Sequence, residues 1–188
     1  MEFIGKKTIK LDKIPTLLDK FVAGFINILQ KHADYVIVSG YVSILFGRSR
    51  ATEDIDILVG RISKKRFYSL YSDLKKSGYW CLNMENQDEI LKALFDGAAA
   101  RFAKKPRIIP NAELKFIKNS IEKNAMKTAI DVIMPSGKIK ISNIELQIAY
   151  KEKVLKSEKD LEDARHLEEV FKDRINNRLL GKYRKMLE

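Results

Sequence analysis

The 188-residue chain has a single cysteine, Cys81, and only two histidines, His32 and His166. A lone cysteine excludes an intrachain disulfide, and two imidazoles with one thiol cannot assemble a zinc cluster. Any metal would therefore be held by oxygen, which favours Mg²⁺ or Mn²⁺. No apolar run approaches the roughly 18 residues a membrane span needs. Met1–Lys10 also lacks the charged start, apolar run and small-residue cleavage site of a secretory leader, so a cytoplasmic protein with no membrane contact is expected. Nine Gly and four Pro are too few for low complexity. There is no Gly-x-Gly-x-x-Gly, and Gly40 and Gly47 are followed by Arg48-Ser49 where a Walker loop would carry Lys, so neither phosphate-binding fingerprint is present. Acids are in short supply, 25 Asp and Glu against 36 Lys and Arg. The resulting net charge of +11 suits an anionic partner, RNA, DNA or nucleotides, or else a solvated Lys-rich surface.

The pattern predicts alternating helices and strands within one core. Pro15, then Leu18, Phe21, Phe25 and Leu29 on one face, predict a core-facing first helix. Tyr35–Val38 reads as a strand that Ser39-Gly40 ends, Tyr41–Phe46 as a short helix, and Ile55–Val59 as the next strand. Ser63–Ser77 and Glu89–Ala100 read as helices and Tyr79–Leu82 as a strand between them. Arg101–Phe116, interrupted by Pro106 and Pro110, reads as extended or hairpin segments, and Thr128–Met134 as a further strand. Ile144–Lys156, Ser157–Lys172 and a last basic helix to Leu187 complete the chain.

Chemistry concentrates in Ser39-Gly40 and in Glu53-Asp54-Ile55-Asp56-Ile57-Leu58-Val59. Side chains two apart on a strand share a face, so Asp54 and Asp56 converge on one site while Ile55 and Ile57 pack behind. Two such carboxylates repel unless a cation lies between them, as in a two-metal phosphoryl-transfer site; a polar edge-strand face is the plainer alternative. Gly40, directly after an apolar strand and before a helix, suits a phosphate, and Ser39 adds a hydroxyl. Asp131, inside Ala129–Met134, is a third acid among apolar neighbours, a placement that asks for a partner.

This order of strand, Ser39-Gly40, helix, Thr52-x-Asp54-x-Asp56 strand and later Asp131 strand resembles the polymerase-β-type nucleotidyltransferases. Within them the chain is most similar to small prokaryotic AbiEii-like, toxin-type proteins, through Tyr150-Lys151-Glu152-Lys153 and Lys159-Asp160-Leu161-Glu162-Asp163. The likeness runs from Tyr35 to Phe171. It implies an α/β (α+β) fold, a mixed-sheet core over 12–142 flanked by helices, with a C-terminal helical segment over 143–188. It further implies transfer of a nucleoside monophosphate from an NTP to a hydroxyl. Asp54, Asp56 and Asp131 would be catalytic ligands of Mg²⁺ or Mn²⁺, Ser39 and Gly40 the phosphate turn, and Lys151 or Lys153 a triphosphate contact. Apart from the resemblance, Arg50 and Asp160 are candidates to orient the site from behind, Arg50 otherwise being solvated or facing RNA. The acceptor would be RNA, a tRNA 3′ end, in a toxin-like role with an antitoxin protein as partner. Ser39 departs from the pattern, standing where the turn has its first Gly and narrowing its backbone freedom.

Ser157-x-x-Asp160 also has the form of a helix-capping box, preferred over catalysis for Asp160, and Asp163 can pair with Lys159. Phe171, Ile175, Leu179 and Tyr183 form an apolar stripe on the last segment, with Arg174, Arg178 and Lys185 on another face that is either solvated or laid against RNA. Two other functions remain open: a nucleotide-binding module with weak or lost turnover, and nucleotide transfer onto a protein.

Overall fold

A computed structural model of the chain describes residues 1–5 and 7–188; Lys6, in the basic opening strip, lies outside the described residues. Among the described residues nine strands form one mixed sheet, with eight α-helices packed on it. The strands are β1 (Glu2–Phe3), β2 (Thr8–Lys10), β3 (Tyr35–Ile37), β4 (Asp54–Val59), β5 (Tyr79–Cys81), β6 (Ala100–Lys104), β7 (Asn111–Phe116), β8 (Ile130–Met134) and β9 (Gly137–Ile141). Their order across the sheet is β1-β2-β8-β9-β3-β4-β7-β6-β5. The helices are α1 (Leu17–Leu29), α2 (Gly40–Leu45), α3 (Lys64–Lys76), α4 (Gln87–Asp96), α5 (Ser120–Lys127), α6 (Ile144–Tyr150), α7 (Glu158–Phe171) and α8 (Asn177–Met186). A π-helical turn, Lys151–Leu155, follows α6 directly. None of these helices is long and apolar enough to cross a membrane.

Local chemistry explains most boundaries. Thr16 caps α1 in a reciprocal box with Asp19, which turns Phe25 and Leu29 wholly inward. Asp19 is itself buried, where it accepts from the Thr16 amide at 2.8 Å and the Tyr41 hydroxyl at 2.9 Å and pairs with Lys13 at 3.0 Å. Burial pushes its carboxyl up, but these partners outweigh burial and hold it below the usual range. The fourth helix ends earlier than its pattern predicts, because Gly97 turns left-handed at φ 89°, and Ala100 then opens β6. The sheet also begins before residue 12, since β2 pairs in parallel with β8 and buries Ile9.

The two faces of the centre serve different ends. Ile55 on β4 lies beside Ala112 on β7, and Ala112 beside Phe102 on β6, the row against which Phe25 of α1 packs. Asp54 and Asp56 alternate onto the other face, toward α5 and α6. That face is where a site can be built.

Candidate active site

Asp54 and Asp56 are half-buried on one face of β4, and Ile55 and Ile57 are buried behind them, as the alternation predicts. β7 runs parallel to β4 with Asp54 beside Asn111 and Asp56 beside Glu113. The third carboxylate of the face is therefore Glu113, not Asp131. Asp131 lies on β8, three strands from β4, roughly 14 Å away at ordinary interstrand spacing, and pairs with Lys138 at 2.8 Å. The partner that a lone Asp among apolar residues asks for is that lysine.

The pattern reading missed Glu113 because it sits in the proline-interrupted stretch. Its signal was there in Asn111-Ala112-Glu113-Leu114-Lys115-Phe116, a strand whose even neighbours are apolar and whose Glu stands alone. Glu113 is buried and held by Lys115 at 2.5 Å and Arg101 at 3.0 Å. Burial pushes its carboxyl up, but the two cations win and hold it below the usual range; Lys115 is raised in turn, Glu113 and Asp56 outweighing its burial. Asp56 goes the other way. Burial raises it, Lys115 and the Ser39 hydroxyl draw it back, and Asp54 and Glu113 add to the rise.

Three carboxylates share one face; Asp54 and Glu113 add to the rise of Asp56, and Lys115 and Arg101 supply positive charge to Glu113. Among the described residues no group of three His, Cys, Asp or Glu side chains is placed to hold a metal ion, and the part of this face that suits a divalent cation is the pair Asp54 and Asp56.

Ser39 and Gly40 close the site from the β3 end. Ser39 takes φ 65° and ψ −139°, a conformation suited to glycine, and its amide donates to Gln147 Oε1 at 3.3 Å. The turn thus keeps its shape despite the side chain, at a cost in strain of about 1–3 kcal/mol. Ser39→Gly is expected to raise the unfolding free energy by about 1 kcal/mol, and Ser39→Ala, which keeps Cβ but loses the hydroxyl, to fall below wild type. Urea denaturation of the three proteins checks this, and a glycine variant no more stable than the alanine one contradicts it. Gly40 has a separate reason: a Cβ there would lie 3.2 Å from the Arg50 guanidinium. A cavity of about 200 Å³ adjoins the turn, bordered by Ser39, Asp56, Lys115 and Gln147 on its polar side and by Ile121 and Leu146 on its apolar side.

The predicted basic contacts lie elsewhere. Lys151 is fully buried, and its Nζ lies 2.8 Å from Asp163 and 3.3 Å from Asp160; Lys153 pairs with Glu188 at 2.8 Å. Neither borders the cavity, because the π turn aims Lys151 into α7. Lys115 is the cation that does border it. Asp163 also receives Arg50 at 2.5 Å, so its partners are Lys151 and Arg50, not Lys159. Arg48 pairs with Glu162 alongside. Asp163 Oδ1 and Arg48 Nε, 3.7 Å apart, are buried without a hydrogen bond among the described residues. This network ties the β4 approach loop to α7 and sets the Arg50 guanidinium beside Gly40. Ser157 caps α7, its Oγ accepting from the Asp160 amide at 3.2 Å. His32 is spent on Asp73 at 2.9 Å and His166 on the Phe46 carbonyl at 3.1 Å.

No family model and no curated protein matches the chain. Solved structures do. An antigenic nucleotidyltransferase-like protein from Paracoccidioides brasiliensis is 15% identical with a TM-score of 0.50, covering 89% of this chain and 84% of that one. The lincosamide antibiotic adenylyltransferase LnuA, with lincomycin bound, is 13% identical with a TM-score of 0.52, covering 84% and 99%. ANT(2″)-Ia, in complex with adenylyl-2″-tobramycin, is 11% identical with a TM-score of 0.54, covering 91% and 97%. At these identities the likeness is one of fold, and the mixed sheet and its helices have the architecture of nucleotidyltransferase-like proteins.

Proposed function

We propose that the protein is a Mg²⁺- or Mn²⁺-dependent nucleotidyltransferase that moves a nucleoside monophosphate from an NTP to a hydroxyl of RNA, a tRNA 3′ end, in a toxin-like role with an antitoxin partner. The observation that carries it is the β4–β7 register, which sets Glu113 beside Asp56 on the face that Ser39 adjoins. In the reaction the acceptor oxygen bonds to the α-phosphorus, the bond to the β-phosphate oxygen breaks, and pyrophosphate leaves. Glu113, in place of Asp131, takes the acceptor's proton. A divalent cation held by Asp54 and Asp56 would supply charge neutralisation to the triphosphate. The Ser39-Gly40 turn binds phosphate, Lys115 replaces Lys151 and Lys153 as the triphosphate contact, and the apolar wall of the cavity receives the base.

The experiment is incubation with each α-labelled NTP, Mg²⁺ and a cell extract, with Asp54→Asn alongside and the label sorted by RNase and protease. Label in RNA that Asp54→Asn abolishes supports the proposal; label in protein favours the protein-modifying alternative. Absence of label with every NTP leaves the nucleotide-binding module, which the strained Ser39 and the cation-paired Glu113 favour.

A further inference from the structure

The β6–β7 hairpin has a tip that the site does not use. Lys104 to Ile109 are six consecutive exposed residues, and they include three cations and no acid. Among the described residues none of Lys104, Lys105 and Arg107 is in an ion pair. Ile108 and Ile109 are 59% and 43% exposed on the same tip, large aliphatic side chains without cover. Two bare aliphatic side chains beside three unpaired cations suit a partner that is apolar and anionic at once.

Its place is set by the register. β7 begins at Asn111, directly beside Asp54, and Asn111 fastens that end to the Glu53 carbonyl through its amide at 2.9 Å and its Nδ2 at 3.2 Å. On β6, Arg101 pairs with Glu113 across the acid face and Ala103 lies beside Asn111, and Lys105 opens the turn just past the end of that strand. Lys104 alternates to the opposite face, with its Nζ over the Tyr79 ring. The tip thus overhangs the Asp54 end of the carboxylate strand.

We propose that this tip is the docking surface for the acceptor, a single-stranded RNA end, with Lys105 and Arg107 on successive phosphates and Ile108 and Ile109 against bases. The inference rests on the nucleotidyltransferase reading above and adds the surface that presents the acceptor. A single strand offers phosphates and unstacked apolar base faces together, which matches a tip whose cations are followed directly by two isoleucines. A cationic small-molecule acceptor would be repelled from the same surface.

The test is fluorescence anisotropy of a labelled single-stranded oligoribonucleotide over a salt series, with NTP binding and label transfer measured on the same proteins. Lys105→Gln/Arg107→Gln is expected to weaken RNA binding roughly tenfold and to lower the salt slope by about 1.4, two single-strand phosphate contacts, with NTP binding unchanged. Lys65→Gln/Arg66→Gln, an equal charge loss at the start of α3, the end away from Gly78 and the tip, is expected to bind RNA as wild type does. Equal weakening in both variants makes the effect one of net charge and overturns the proposal. Wild-type transfer to RNA that the tip variant leaves untouched overturns it too, while sparing the nucleotidyltransferase reading. A wild type that labels an acceptor other than RNA removes the RNA surface but keeps the enzyme, and one that labels nothing removes both.

Discussion

Asp56→Asn is expected to lower nucleotide transfer on the order of a thousandfold while leaving the fold intact. The side chain keeps its shape but loses the charge that a cation and triphosphate need. Stability should move in the opposite direction from activity. Burial raises the Asp56 carboxyl above its ordinary value of 3.8, so its ionisation is costlier folded than unfolded. A raised acid adds stability below its unfolded value and loses that advantage as pH rises through the folded one. At neutral pH the charged form is therefore a burden, and asparagine removes it. Thermal unfolding at neutral pH should show Asp56→Asn at or above wild type, with the gap closing on acidification below about pH 4. A variant both inactive and strongly destabilised would mean that Asp56 serves the fold, and one with near wild-type transfer would remove it from the chemistry.

The largest effect on stability is expected from Asp163→Ala. Asp163 and Lys151 are both fully buried and 2.8 Å apart, and Arg50 reaches the same carboxylate from the β4 approach loop. Deleting the carboxylate leaves an ammonium in the interior with only Asp160 at 3.3 Å, a situation that costs about 3–5 kcal/mol. It also frees Arg50, which leans on Gly40, so transfer should fall although Asp163 is not among the residues bordering the cavity. The double variant Lys151→Met/Asp163→Leu removes both buried charges, and Arg50 is exposed enough to find water. It should recover much of the lost stability but little of the activity, because the loop stays untied. Urea denaturation of the single and double variants checks this. A single-variant loss under about 1 kcal/mol, or a double variant no better than the single one, contradicts the account.

The parts of the site legible in the sequence are those written by local rules. Asp54 and Asp56 share a face because strand alternation leaves no choice, and Ser39-Gly40 punctuates β3 before a short helix. Helix caps such as Ser157 before α7 are equally local. Glu113 stands out as the one acid of its strand, but its place beside Asp56 was hidden, because parallel pairing of β4 with β7 is a long-range fact that no short window contains. The partner of Asp131 was hidden for the complementary reason. Lys138 is only a hairpin away on β9, a strand whose Ile139 and Ile141 alternation follows too closely on Pro135-Ser136-Gly137 to stand out. Strands β1 and β2 are two and three residues long, too short to carry a period. The inward turn of Lys151 depends on a π turn, and i, i+4 counting along an α-helix has no way to register that.

The central claim is that the third carboxylate of the site is Glu113 and that Asp131 is structural. Label transfer from an α-labelled NTP, compared between Glu113→Gln and Asp131→Asn, tests it most directly. The account predicts that Glu113→Gln loses transfer nearly as completely as Asp56→Asn, while Asp131→Asn, which gives up only an exposed pair with Lys138, keeps most of it. Transfer that survives Glu113→Gln and is lost in Asp131→Asn would contradict the account.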